Sequence, residues 1–132
     1  MSEARPRILI VDDEPDLLTV LKIGLEAEGF QVLQATDGEQ GLALARQEMP
    51  DLMVLDLMLP RMDGYKVCRA LKFDERYKRI PIFILSARSG DTDRQLALEM
   101  GADEVHTKPY DMRTLVGRIR ERIEQDQHRA AA

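Results

Sequence analysis

The 132 residues include one cysteine, no tryptophan and only three tyrosines and three phenylalanines. A single cysteine excludes an internal disulfide, and the neighbours of Cys68, Val67 and Arg69, supply no metal-ligand spacing. Cys68 is therefore expected as a half-buried helix thiol, small and apolar in character. Basic residues are not in surplus: 19 Lys and Arg stand against 24 Asp and Glu, for a net charge of -5. Nothing global attracts a phosphate backbone, so direct nucleic-acid binding by this chain is not expected. The first six residues contain no apolar core of a leader, and no apolar run approaches the length of a membrane span. The expected setting is the cytoplasm, with no membrane contact. Internal repeats, low-complexity tracts and interdomain linkers are also missing.

What is present is a soluble globular composition, 44% hydrophobic and 33% charged, at the size of one domain. Ile8–Val11, Leu52–Leu55 and Ile82–Leu85 are short, continuous apolar runs with β-branched residues in each, the signature of strands buried on both faces. Helical periodicity lies between them, in Leu17, Leu18, Leu21 and Leu25, and again in Leu42, Ala45 and Met49. Two more polar strands, Gln31–Ala35 and Glu104–Thr107, follow Gly29 and Gly101, each a plausible helix C-cap. A last helix from about Asp111 to Gln125 carries Met112, Leu115, Val116, Ile119 and Ile123 on one stripe. Five strands alternating with five helices specify an α/β fold with a doubly wound, flavodoxin-like parallel sheet. The order 2-1-3-4-5 puts the two most polar strands at the edges. The domain is expected over residues 7–125, between tails at 1–6 and 126–132.

In such a sheet ligands bind beyond the strand C-termini, at the switch point between the first and third strands. Asp12 and Asp13 end the first strand and Asp56 ends the third. Strands about 4.8 Å apart would crowd these carboxylates and raise their pKa values unless a cation neutralised them. All-oxygen donors favour a hard ion, and few carboxylates with waters and a phosphate oxygen suit Mg²⁺. Helix capping by Asp12, Asp13 or Asp16 ahead of Pro15 accounts for at least one acid, but not for a third Asp on another strand. Ser86 ends the fourth strand and Lys108 follows the fifth, before Pro109. A lone lysine is usually a solvated one, yet a hydroxyl and an ammonium at this edge complete a site for a phosphoryl group opposite a metal.

These residues resemble the receiver domains of two-component response regulators, over roughly Arg7 to Ile123. The resemblance rests on Ile-Val-Asp12-Asp13-Glu14, on Val-Leu-Asp56-Leu-Met58-Leu-Pro60 with Met62-Asp63-Gly64, on Leu85-Ser86-Ala87, and on Gly101-Ala-Asp with Lys108-Pro109-Tyr110. It implies that Asp56 accepts a phosphoryl group from a histidine kinase or histidine phosphotransfer protein. It implies further that Asp13, Asp56 and the Met58 carbonyl bind Mg²⁺ directly and Asp12 through water, that Lys108 pairs with the phosphoryl group, and that Ser86 is the switch hydroxyl. The chain is then a signalling phospho-acceptor, not an enzyme with a turnover substrate, and it signals by binding a downstream protein. One position departs from the family pattern: Val105 stands three before the lysine, where receivers usually carry an aromatic residue. His106, on the opposite face of the strand, does not replace it and is expected to be a partly buried histidine with a local partner.

A flavin carrier on this fold needs a phosphate-cradling loop where Asp12-Asp13-Glu14 would repel phosphate, and an aspartate-nucleophile phosphatase needs an acid two residues after Asp56, where Met58 stands. A pseudo-receiver, working as an interaction module without phosphorylation, draws support from Val105. The chain has no room for an output domain and is expected to stand alone, unless it is the excised receiver of a multidomain regulator. Arg94, Asp103, Glu104, Arg118 and Arg120 mark a charged face on which some receivers form weak homodimers, against the simpler reading of a solvated surface.

Overall fold

The computed structural model describes residues 5–87 and 90–131. Strands β1 (Arg7–Val11), β2 (Gln31–Ala35), β3 (Leu52–Asp56), β4 (Ile82–Ser86) and β5 (Glu104–Thr107) alternate with helices α1 (Pro15–Ala27), α2 (Gly38–Glu48), α3 (Gly64–Lys72), α4 (Asp91–Glu99) and α5 (Met112–Ala131). All four strand pairings are parallel, in the order β2-β1-β3-β4-β5. The three apolar runs are the three inner strands, as their two-sided burial requires.

Alternation along each strand divides the core in two. Leu9, Val11, Met53, Leu55, Ile82, Ile84 and Val105 face a layer that includes Leu42, Ala45, Val67, Cys68, Leu71 and Ala97 of α2, α3 and α4. Ile8, Ile10, Leu52, Val54, Phe83 and Leu85 face Leu18, Leu21 and Leu25 of α1 and Leu115, Val116, Ile119 and Ile123 of α5. Burying one such side chain contributes about 1.5–3 kcal/mol, so these two layers dominate the stability of the fold.

Three local expectations change. Met49 leaves the α2 stripe, at φ 48° and 43% exposed, because Pro50 disfavours a helical residue before it. Its N–H donates to the Ala45 carbonyl and closes the helix there. The last helix continues past Gln125 to Ala131, since no Gly or Pro lies between 126 and 131 and Asp126 pairs with Arg122 (3.2 Å) one turn back. Cys68 is fully buried, and burial pushes its thiol up to about 12, which makes it unreactive at neutral pH. Gly29 and Gly101 sit at φ 93° and 104° just past α1 and α4, as C-cap chemistry demands.

Candidate functional site

Register brings the strand ends level: Val11 lies beside Leu55, Asp56 beside Leu85 and Ser86 beside Thr107. Asp12, Asp56 and Ser86 are the buried polar residues of the described chain, 2%, 6% and 1% exposed. Side-chain oxygens of Asp12, Asp13, Glu14 and Asp56 fall within 4.8 Å of one another. The loop after β5 turns Lys108 back over them, so that its Nζ donates to Asp12 Oδ2 (3.2 Å) and Asp56 Oδ2 (3.4 Å) and stands 4.0 Å from Glu14 Oε1. The Lys108–Pro109 peptide is cis. The backbone of Lys108 is anchored as well, its N–H donating to the Ser86 carbonyl at 2.7 Å.

Two turns hold the acids. Asp12 Oδ1 accepts the Glu14 N–H (2.9 Å) and Asp56 Oδ1 accepts the Met58 N–H (3.2 Å). Expected helix capping by Asp12, Asp13 or Asp16 is not what occurs: α1 has Glu14 at its N-cap with no side-chain cap, and Pro15 begins the helix. Behind the site, Gly64 opens α3 directly against β3, where a Cβ would stand 2.6 Å from the Asp56 carbonyl oxygen and 2.7 Å from Leu57 Cα. The Gly64 N–H donates to Leu57 O, so the Met62-Asp63-Gly64 motif fixes the loop that follows Asp56.

Burial raises the Asp56 pKa above the ordinary carboxylate range; Lys108 pulls it back and Asp12 pushes it up further. Burial acts to lower the Lys108 pKa, but attraction to Asp56 and Asp12 outweighs it and the net direction is up. The ammonium is thus held charged among acids that it only partly neutralises. Four carboxylates with no imidazole or thiolate form an oxygen donor set suited to a hard divalent cation.

Of the sequence-derived site residues, Asp12, Asp13, Asp56 and Lys108 converge, and Ser86 is buried on the neighbouring strand end. Met58 contributes its backbone N–H to Asp56 while its side chain is 55% exposed. Glu14 joins the acid group, a member that only the run of three acids after the strand signals. Arg94, read as part of a charged face, instead donates from α4 to the Val105 carbonyl of β5 (3.2 Å). Other charges of that face are also engaged within the chain: Glu104 with Arg118 and His106, and Asp103 with Lys72 and Arg122. Arg120 lies elsewhere, bonded to Glu28 (3.0 Å) and over the Phe30 ring. His106 has the local partner expected of it, Glu104 at 3.0 Å, and packs near Phe83.

Comparison with known proteins agrees with this geometry. The family model "Response regulator receiver domain" matches residues 8–120. The DNA-binding dual master transcriptional regulator RpaA of Synechocystis sp. is 46% identical over 115 residues, 87% of this chain and 48% of that protein. The alkaline phosphatase synthesis transcriptional regulatory protein PhoP of Bacillus subtilis is 43% identical over 86% of this chain and 47% of its own length. The chain thus spans about half the length of these curated relatives. Among solved structures, a CheY-like response regulator receiver domain protein of Methanospirillum hungatei superposes with a TM-score of 0.88 at 28% identity, covering 96% of this chain and 99% of that one. The BeF3-activated N-terminal receiver domain of Klebsiella pneumoniae RstA gives 0.83 at 31% identity, over 89% of this chain and 97% of that one. With its acids and lysine gathered at the C-terminal ends of a 2-1-3-4-5 parallel sheet, the chain belongs to the receiver-domain family of two-component response regulators.

Proposed function

We propose that Asp56 is the phospho-acceptor, that Asp12, Asp13 and Asp56 with the Met58 carbonyl form the Mg²⁺ site, and that Lys108 and Ser86 receive the phosphoryl group. The observation that carries this reading is Lys108 Nζ spanning Asp12 and Asp56 inside a ring of acids at the switch point. An Asp56 Oδ attacks the phosphorus of a phosphohistidine or small acyl phosphate in line; the new O–P bond forms as the donor's N–P or O–P bond breaks. Bound Mg²⁺ supplies neutralisation of the charge on the phosphoryl oxygens. Lys108 adds its positive charge, exchanging part of its hold on Asp12 for the phosphoryl group. The donor is a histidine kinase or phosphotransfer protein, and water attacking the acyl phosphate resets the domain.

Mass spectrometry after incubation with acetyl phosphate tests the assignment. One phosphoryl group is expected on Asp56 with Mg²⁺ present and none in excess chelator; labelling indifferent to chelation would overturn it. A cytoplasmic setting fits this donor chemistry, and no helix among the described residues is long and apolar enough to cross a membrane. Relatives of which the chain spans about half are named as transcriptional regulators, RpaA among them as DNA-binding. This supports a role as the receiver portion of a longer regulator, with nucleic acid contacted through that longer protein.

The second reading, an interaction module indifferent to phosphorylation, is favoured by Val105 alone. A β-branched residue stiff at χ1 has no second position for the hydroxyl shift to select. We infer that the response travels from Ser86 into the start of α4 instead. Ser86→Ala should leave Asp56 phosphorylation intact and remove most of the remote amide shifts produced by a beryllofluoride mimic. Shifts centred on Val105, His106 and α5 that persist in Ser86→Ala would refute this route.

A further inference from the structure

Charge is spread unevenly over this acidic chain. Six of its 19 basic residues fall between Lys66 and Arg79, against only Asp74 and Glu75; the remainder of the chain has 13 basic and 22 acidic residues. Some of these cations are committed. Lys72 turns inward to Asp103 (3.1 Å) and the Ile80 carbonyl (3.0 Å). Arg76 is held by Asp74 through Nε and Nη2 and lies over the Tyr77 ring, and Lys78 pairs with Glu75 at 2.8 Å. Arg79 lines a separate depression with Asp51, Arg122 and Asp126. Lys66 and Arg69 are different. Both are exposed, and neither side chain bonds or pairs with any described residue.

These two cations share the outward stripe of α3 with Ala70 and, just past the helix end, Phe73; Val67, Cys68 and Leu71 hold the inward stripe in the core. Phe73 is 67% exposed, the most exposed large hydrophobic side chain among the described residues. It borders an open depression of about 750 Å³ with Lys66, Arg69, Ala70 and Arg76. A ring two-thirds in water beside two unpaired cations leaves apolar surface exposed in the free protein.

We propose that this face of α3 docks an acidic protein segment carrying one large apolar side chain between its carboxylates. The apolar side chain packs on Phe73 and Ala70, and flanking carboxylates reach Lys66 and Arg69, which stand one turn apart on the same stripe. Charge selects this occupant over nucleic acid: the two uncommitted cations of this stripe cover a single turn, and Asp74 and Glu75 line the end of the depression, where a phosphate backbone would have to pass. The surface lies on the sheet face opposite α1 and α5 and leaves the crevice at the strand C-termini uncovered. A bound partner would hold the domain without blocking Asp56.

The test uses the full chain and a fluorescein-labelled peptide, Glu-Asp-Glu-Glu-Phe-Glu-Glu-Asp, with amide shift mapping and anisotropy. Saturable binding is expected, with the largest shifts at Lys66, Arg69 and Phe73 and weaker affinity at higher salt. Phe73→Ser, and Lys66→Glu with Arg69→Glu, should each weaken binding by about tenfold or more. Because these side chains lie outside the core, both variants should keep the parent melting temperature and its acetyl phosphate labelling. Loss of labelling in the parent would count against the phosphoryl reading and leave this one standing. The docking proposal is overturned if peptide shifts map elsewhere or are absent at about 1 mM, if a Phe-to-Ala peptide binds as tightly, or if a single-stranded oligonucleotide displaces the peptide from α3.

Discussion

Asp56→Asn is expected to lose phosphoryl uptake entirely and yet to melt about 2–4 °C higher than the parent in chelator. The two effects share one cause. Asp56 is a carboxylate at 6% exposure beside Asp12, and burial and repulsion raise its pKa. The folded state then binds that proton more tightly than the unfolded chain does. Stability of the metal-free protein therefore falls as pH rises from the ordinary carboxylate value through the raised one, and stays lowered at neutral pH. An amide removes the charge and that slope, while Asp12 retains Lys108 (3.2 Å). The lysine works in the other pH range: its raised pKa contributes stability that is intact below the ordinary lysine value and lost as pH climbs through the raised one. Thermal melts at pH 4 and pH 7, with and without Mg²⁺, read the difference. The parent should gain more from Mg²⁺ than the variant, because the ion relieves repulsion that the amide has already removed. A variant that melts lower than the parent in chelator at pH 7 would show that the Asp56–Lys108 attraction outweighs the burial cost.

Asp103→Ala is expected to cost the fold about 3 kcal/mol, and on the order of 10 °C in melting temperature. Its carboxylate accepts from Lys72 (3.1 Å), from Arg122 (2.9 Å) and from the Ile82 N–H (2.8 Å), while its own N–H donates to the Ile82 carbonyl (2.8 Å). Lys72 and Arg122 are only 12% and 24% exposed, so truncation strands two half-buried cations and one strand N–H. Asp103→Asn keeps an acceptor for Ile82 and should lose roughly half as much. Phosphoryl labelling of the folded variant should be unchanged, because Asp103 ties the N-terminal ends of β4 and β5 and the acids lie at the C-terminal ends. Urea unfolding measures the cost, and a loss below about 1 kcal/mol would mean that water replaces the carboxylate without penalty.

The inner strands were readable in the linear sequence because each is buried on both faces. Ile8–Val11, Leu52–Leu55 and Ile82–Leu85 need no partner information to be recognised, and the polar character of Gln31–Ala35 and Glu104–Thr107 assigns them to the edges. Once the order 2-1-3-4-5 is accepted, the residues ending the strands must share one rim, so the sequence alone groups Asp12, Asp13, Asp56, Ser86 and Lys108. Contacts that join distant segments at a particular angle were not readable. Arg94 bonded the β5 backbone because of how one helix is oriented, which no periodicity encodes. Asp103 reads in sequence as one more surface charge, since its partners stand 31 and 19 residues away and only packing brings them together. Burial is a property of one segment and is written in its own residues, whereas an ion pair across the fold depends on where two independent segments end, and only the assembled tertiary structure sets that distance.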